Sequence, residues 1–185
     1  YPPGSVFKPV VALAALHSGT LSPYRFLESG PELEIDGRVF RNWSDSDRGL
    51  FDLRSALIRS CNTYFYQIAM ACGDAFILQA AKDFGYASAP TLPISGAAAG
   101  SLPAKAPSNQ GLANLAIGQG QVSASPLQVA MSMATLAHGR CRPRSRLVLQ
   151  VQAPNGEVRQ HFPALRENLL NIAGRDLEEV RRGMY

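Results

Sequence analysis

The sequence predicts an α+β chain, mainly helical with small β-hairpins. Three observations carry that expectation. Apolar residues recur at helical spacing in five separate stretches. Two short alternating stretches turn at Asp36-Gly37 and at Asn155-Gly156. Between the helical stretches lies a long segment rich in Ala, Ser, Pro and Gly with no sustained period.

Taken in order, Ser5 to His17 places Val6, Val10, Ala14 and Phe7, Val11, Ala15 on helical faces, after a Pro2-Pro3-Gly4 turn and before Gly19. Its run VVALAAL is apolar nearly all round, which predicts a helix at the centre of the domain. Residues 31–43, PELEIDGRVFRNW, read as a surface hairpin. From Leu53 the pattern becomes helical, and SCNTYFYQIAMACG is a second strong helix ending at Gly73. A third helix covers Asp74 to Phe84, stopped by Gly85, and Ala87 to Asn109 reads as a long irregular loop. Ser125 caps a helix that opens with Pro126 and closes at Gly139. RLVLQVQAPNGEVRQHF is a second hairpin, and GRDLEEVRRGMY is a short amphipathic helix.

The 185 residues suit one domain, 46% apolar and 17% charged, so a disordered or fibrous chain is excluded. The 18 Lys and Arg against 14 Asp and Glu give +4, mostly from Arg140, Arg142, Arg144, Arg146 and from Arg181, Arg182. These clusters read as solvated faces, and without aromatic interleaving or a binding motif no nucleic-acid partner is expected. The longest apolar run, Val10 to Leu16, is far too short to span a bilayer. Tyr1 is no initiator Met and no signal peptide follows it, so a preceding segment is expected. If residues 60–72 form one helix, Cys61 and Cys72 stand about 16 Å apart. A bridge needs roughly 7 Å or less between Cα atoms, so that pair is excluded.

The chemistry begins with Ser5 and Lys8. Three residues apart on a helix they share a face, so the lysine amine has the reach to touch the serine hydroxyl. A serine hydroxyl is a poor nucleophile until a base takes its proton, and a lysine neutralised by burial is such a base. A serine at a helix N-terminus also has its own N–H free for an oxyanion. Taken singly, Ser5 is equally a helix cap and Lys8 a first-turn lysine. Ser60-Cys61-Asn62 adds a hydroxyl and a carboxamide at the start of the second apolar helix; alone, both are ordinary cap residues.

Together, YPPGSVFKP, SCNTYFYQIA and AIGQGQVSASPLQVA, in this order, resemble the transpeptidase domain of class B penicillin-binding proteins, the elongation type most of all. The resemblance spans residues 1–185 and implies a penicillin-binding-protein and serine β-lactamase-like fold, incomplete here because most of the central sheet is missing. It implies that Ser5 attacks the penultimate D-Ala carbonyl of a peptidoglycan stem peptide and that Lys8 takes its proton. Ser60 is then the relay between Lys8 and the leaving amine, and Asn62 the partner of Lys8 and of the substrate carbonyl. The resulting acyl-enzyme passes to an amine of a second stem peptide, and β-lactams acylate the same serine. A β-lactamase, a β-lactam sensor domain and a non-catalytic interaction module are the alternatives.

Two departures from the family are plain. None of the three lysines, Lys8, Lys82 and Lys105, opens a Lys-Thr/Ser-Gly motif, and His17-Ser18-Gly19 imitates its His variant on the wrong element. The expectation is a partial transpeptidase domain, cut at both ends and inactive or impaired alone. Elongation-type relatives gather an Asp, a His and the Cys of Ser-Cys-Asn; here the matching stretch reads Asn42-Trp43 and Arg48-Gly49. No zinc, other metal or cofactor is therefore expected, and Cys61 reads as a small core residue. The resemblance further implies a site outside the bacterial cytoplasmic membrane, with a membrane glycosyltransferase as partner of the parent protein.

Overall fold

The computed structural model describes residues 1–92, 96–139, 141–168 and 172–185. Arg140 and part of the 87–109 segment lie outside the described residues. Among those described, the chain forms seven α-helices and four two-stranded antiparallel sheets, in an α+β arrangement with helices at its centre.

The first helical stretch divides in two. Gly4–Phe7 form a 3-10 turn, and helix α1 runs Lys8–His17 with Pro9 in its first turn, where a missing N–H costs nothing. Every residue from Lys8 to Leu16 is buried, so α1 is the central helix its composition predicts. Helices α4 (Asp74–Asp83), α3 (Asn62–Cys72) and α7 (Gly174–Arg182) pack around it. Cys61 and Cys72 are buried thiols and are not bridged.

Strands β2 (Glu32–Ile35) and β3 (Arg38–Arg41) form the expected hairpin, with Ile35 opposite Arg38. Asp36 and Gly37 both have positive φ, 49° and 75°, as a two-residue type I′ turn requires. Around this hairpin, β1 (Leu27–Ser29) pairs with β4 (Gly49–Phe51), an association of segments 20 residues apart that no turn signal announces. Helix α2 (Leu53–Ile58) follows, opened by a reciprocal Asp52–Ser55 capping box.

Helix α5 (Asn109–Ala116) starts at the end of the stretch read from sequence as loop and continues into residues to which the sequence assigned no element. Ser108 caps it, and Gly111 lies inside it because a Cβ there would come within 2.6 Å of the Pro107 ring. Helix α6 (Pro126–His138) has the predicted Ser125 cap, reinforced by Gln128 in a capping box. Gln128 is buried, and its Nε2 also lies 3.2, 3.0 and 2.6 Å from the carbonyls of Gly85, Ser88 and Ala99.

Strands β6 (Gln150–Gln152) and β7 (Val158–His161) form the second hairpin, but its loop is longer than two residues: Ala153 N–H donates to Glu157 O around Pro154–Gly156. Strands β5 (Cys141–Pro143) and β8 (Arg166–Asn168) pair outside it. Arg144, Arg146 and Arg182 are exposed, as on a solvated face, but several of these arginines are also engaged. Arg142 and Arg144 both pair with Glu167, and Arg181 donates to the last carbonyls of α6, Leu136 and Ala137. Among the described residues no helix is long and apolar enough to cross a membrane.

Candidate active site

Ser5 projects from the 3-10 turn at the head of α1 and is exposed. The turn is held from across the chain. Gly4, at φ 65°, donates its N–H to Gly118 O at 2.9 Å. Gly118 is itself left-handed at φ 67°, and a Cβ on it would sit 2.4 Å from Gly4 O and 2.8 Å from Phe7 Cβ. Only glycine fits there. Phe7, one residue before the lysine, is fully buried edge-on against Tyr86.

Lys8 is 1% exposed, and its ammonium reaches across to the turn between α2 and α3. Nζ lies 2.6 Å from Ser60 O, 2.9 Å from Ser60 Oγ and 2.6 Å from Asn62 Oδ1. The Phe65 ring centroid is 5.4 Å away. An ammonium has three N–H donors, and three oxygens meet them. Burial pulls the Lys8 pKa from 10.5 down to about 8, with the Cys61 sulfur acting weakly in the opposite sense. Both protonation states are therefore accessible near neutral pH, and the neutral form has a lone pair in place of one donor.

Ser60 sits on a distinctive piece of backbone. Helix α2 ends with Ser60 N–H donating to Leu57 O at 3.0 Å and Cys61 N–H to Ala56 O at 2.9 Å, the paired bonds of a Schellman motif. The left-handed position of that motif is usually glycine; here it is Ser60, at φ 51°. The serine accepts an unfavourable backbone and in return presents both its carbonyl and its hydroxyl to Lys8. Helix α3 therefore begins at Asn62, not at Ser60 as the sequence suggests.

The structure thus brings Lys8, Ser60 and Asn62 into direct contact, while Ser5 Oγ is outside the lysine's hydrogen-bond set. The expected fold-back of Lys8 onto Ser5 is replaced by a reach to residues 52 and 54 positions away. Ser5, Lys8 and Ser60 nevertheless line one groove of about 360 Å³, whose other walls include Ile58, Met133 and Tyr185. His17 lies at the far end of α1, in its last turn, and has no part in this groove.

From sequence, Asn42 is only the counterpart of the relatives' metal stretch, without a role of its own; the structure gives it one in this neighbourhood. Its Oδ1 accepts the Asn62 N–H at 2.8 Å, and its Nδ2 is 3.5 Å from Cys61 Sγ. Its position directly after the hairpin was the available signal. Around Cys61 Sγ the neighbours are the Asn42 amide nitrogen and the Thr63 hydroxyl at 3.4 Å, a donor set that does not fit a metal ion. Among the described residues no group of three or more His, Cys, Asp or Glu is placed to hold one.

A helix-borne Ser-x-x-Lys whose lysine is bound by a Ser-x-Asn turn is the arrangement of the penicillin-recognising serine acyltransferases. The profile of the penicillin binding protein transpeptidase domain matches residues 1–185, and the chain belongs to that family. It is 33% identical over 152 residues to peptidoglycan D,D-transpeptidase MrdA of Acinetobacter baumannii, covering 75% of this chain and 22% of that one. It is 32% identical over 160 residues to peptidoglycan D,D-transpeptidase PbpA of Mycobacterium tuberculosis, covering 84% and 32%. The chain therefore spans about a fifth to a third of the length of these curated relatives. Among solved structures, the ceftriaxone acyl-enzyme complex of penicillin-binding protein A from M. tuberculosis superposes with a TM-score of 0.87 at 27% identity, over 100% of this chain and 42% of that one. A chain of a peptidoglycan synthase complex that coordinates polymerization and crosslinking gives 0.85 at 30% identity, over 100% and 32%.

Proposed function

We propose that this chain carries the nucleophile half of a peptidoglycan D,D-transpeptidase site, with Ser5, Lys8, Ser60 and Asn62 as its reacting groups. One observation carries the reading: the buried Lys8 amine is bound by Ser60 and Asn62 in the groove that Ser5 lines. When Lys8 is neutral, its lone pair takes the Ser5 proton as Oγ attacks the carbonyl carbon of the penultimate D-Ala. The tetrahedral intermediate collapses, the terminal D-Ala leaves as an amine, and Ser60 relays to it the proton that Lys8 received. Asn62 Oδ1 holds the lysine, and its Nδ2, one N–H of which donates to Arg41 O at 3.3 Å, has a second N–H for the substrate backbone. An amine of a second stem peptide then attacks the Ser5 ester, forming the crosslink and freeing the serine.

The relatives named D,D-transpeptidases and the β-lactam acyl-enzyme of a structural neighbour support this reaction and a β-lactam as its inhibitor. By the same reading the site works outside the cytoplasmic membrane beside a membrane glycosyltransferase, which the synthase complex among the neighbours supports.

Incubation of the full-length protein carrying this sequence with a fluorescent penicillin tests the proposal. A stable covalent label that is absent from Ser5→Ala is the expected result. Absence of label points to a non-catalytic module, and rapid release of the label points to a β-lactamase; either result overturns the transpeptidase reading.

A further inference from the structure

The turn that presents Ser60 and Asn62 to Lys8 is held from outside by a short segment directly after the first hairpin. Asn42 follows β3, and its own N–H donates to Pro31 O at 2.7 Å, which ties it to the end of the hairpin. Its side chain is 8% exposed, and its carboxamide has partners on both sides. Oδ1 accepts from the Trp43 N–H at 3.1 Å and from the Asn62 N–H at 2.8 Å, while Nδ2 faces Asp47 Oδ2 at 3.4 Å and Cys61 Sγ at 3.5 Å. Turning the amide over would set N–H groups against N–H groups and oxygen against carboxylate, so one orientation is dictated.

The Asn62 N–H is the first of helix α3, where no intrahelical acceptor exists, and Cys61 at the N-cap supplies no side-chain bond. Asn42 acts as the cap from 20 residues away. Asp47 grips the other end of the turn. Its side chain is fully buried, with Oδ1 2.9 Å from Arg59 Nε and 2.6 Å from Arg59 Nη2, and Trp43 Nε1 donates to Arg59 O at 2.8 Å. Residues 42, 43 and 47 therefore bind both sides of the left-handed Ser60.

We infer that Asn42, oriented by Asp47, is a positioning residue that fixes the Ser60–Asn62 turn against Lys8. This inference rests on the proposed transpeptidase reading for its effect on rate, and on the geometry alone for its effect on the turn. The Asn42→Ala protein loses the remote cap, so Asn62 Oδ1 and Ser60 Oγ shift relative to Nζ. The exchanged pair Asn42→Asp with Asp47→Asn keeps the same atoms and total charge while reversing which partner donates.

Two measurements on the full-length protein test it. Hydrogen exchange of the Asn62 amide is expected to lose protection in Asn42→Ala and to regain it in the exchanged pair. Acylation of Ser5 by a fluorescent penicillin is expected to slow about tenfold or more in Asn42→Ala, the scale at which sub-ångström misplacement acts. It recovers in the exchanged pair, with the non-covalent affinity for the drug unchanged. A core truncation elsewhere, Leu78→Ala, is the control for lost stability and is expected to lower the melting temperature without slowing acylation. Unchanged Asn62 exchange in Asn42→Ala overturns the inference, as does a rate loss matched by Leu78→Ala. If the unaltered protein takes no label at Ser5, the transpeptidase reading fails, and Asn62 exchange still decides whether Asn42 holds the turn.

Discussion

Lys8 Nζ and Asn62 Oδ1 stand 2.6 Å apart, joining the first turn of α1 to the first residue of α3 across 54 positions of sequence. That contact, with the two to Ser60, makes the lysine the centre to which the candidate groups are referred.

The first prediction concerns rate and pH. Burial lowers the Lys8 pKa to about 8, and only the neutral amine accepts the Ser5 proton. Acylation by a β-lactam is expected to rise with pH up to about 8 and level off above it. Stopped-flow acylation between pH 6 and 9.5 measures this, and a rate independent of pH across that range contradicts the role of Lys8 as base.

The same shift affects stability. The folded pKa of about 8 lies below the ordinary 10.5, so between these values the unfolded chain binds a proton that the folded chain does not. Stability from this group therefore rises as pH climbs from 8 to 10.5, and below pH 8 the buried charge costs about 3 kcal/mol relative to solvent. The difference in unfolding free energy between the unaltered protein and Lys8→Met, followed by urea denaturation over that range, is expected to move in favour of the unaltered protein as pH rises.

Gly118→Ala is expected to be severe. Its Cβ meets Gly4 O at 2.4 Å from a left-handed backbone, so the turn that carries Ser5 or the 118–120 segment must shift. A loss of about 2 to 4 kcal/mol in urea denaturation is expected, from strain and overpacking together. Slower acylation accompanies it because Gly4 neighbours Ser5.

Gln128→Leu removes half of a capping box and the side chain that joins the carbonyls of Gly85, Ser88 and Ala99. The cost is expected at about 2 to 3 kcal/mol, the scale of a lost cap plus buried acceptors left unpaired. Urea denaturation gives the value, and limited proteolysis in the 87–109 segment is expected to quicken.

The elements legible in the sequence are those specified locally. Asp36-Gly37 dictates a type I′ turn by itself, Ser125-Pro126 opens α6 by its own caps, and the all-apolar α1 declares its burial. What was not legible depends on distant partners. The pairings β1–β4 and β5–β8 have no turn between neighbouring strands, and α5 hides behind Gly111, whose reason is the Pro107 ring. In the site, the residue types Ser5, Lys8, Ser60 and Asn62 were legible from three strings, but the direction of the lysine was not. Helical spacing pointed it back to Ser5; Ser60 O, Ser60 Oγ and Asn62 Oδ1 offered three acceptors and took it. Asn42 was legible as the counterpart of the relatives' metal stretch, but its acceptor role was not, because that role exists only once the hairpin and α3 have met.

Tyr1 exchanges both backbone bonds with Ala124, at 2.8 and 3.2 Å, while Gly4 pairs with Gly118 a few residues further on. The strip around Ser5 is therefore shaped by chain more than a hundred residues downstream. A loop of that length closes slowly, and contacts of such separation form late in folding. During synthesis Ser5 emerges before the 118–124 segment, and its surroundings are complete only after that segment has docked. The geometry around Ser5 is thereby complete only when the fold is.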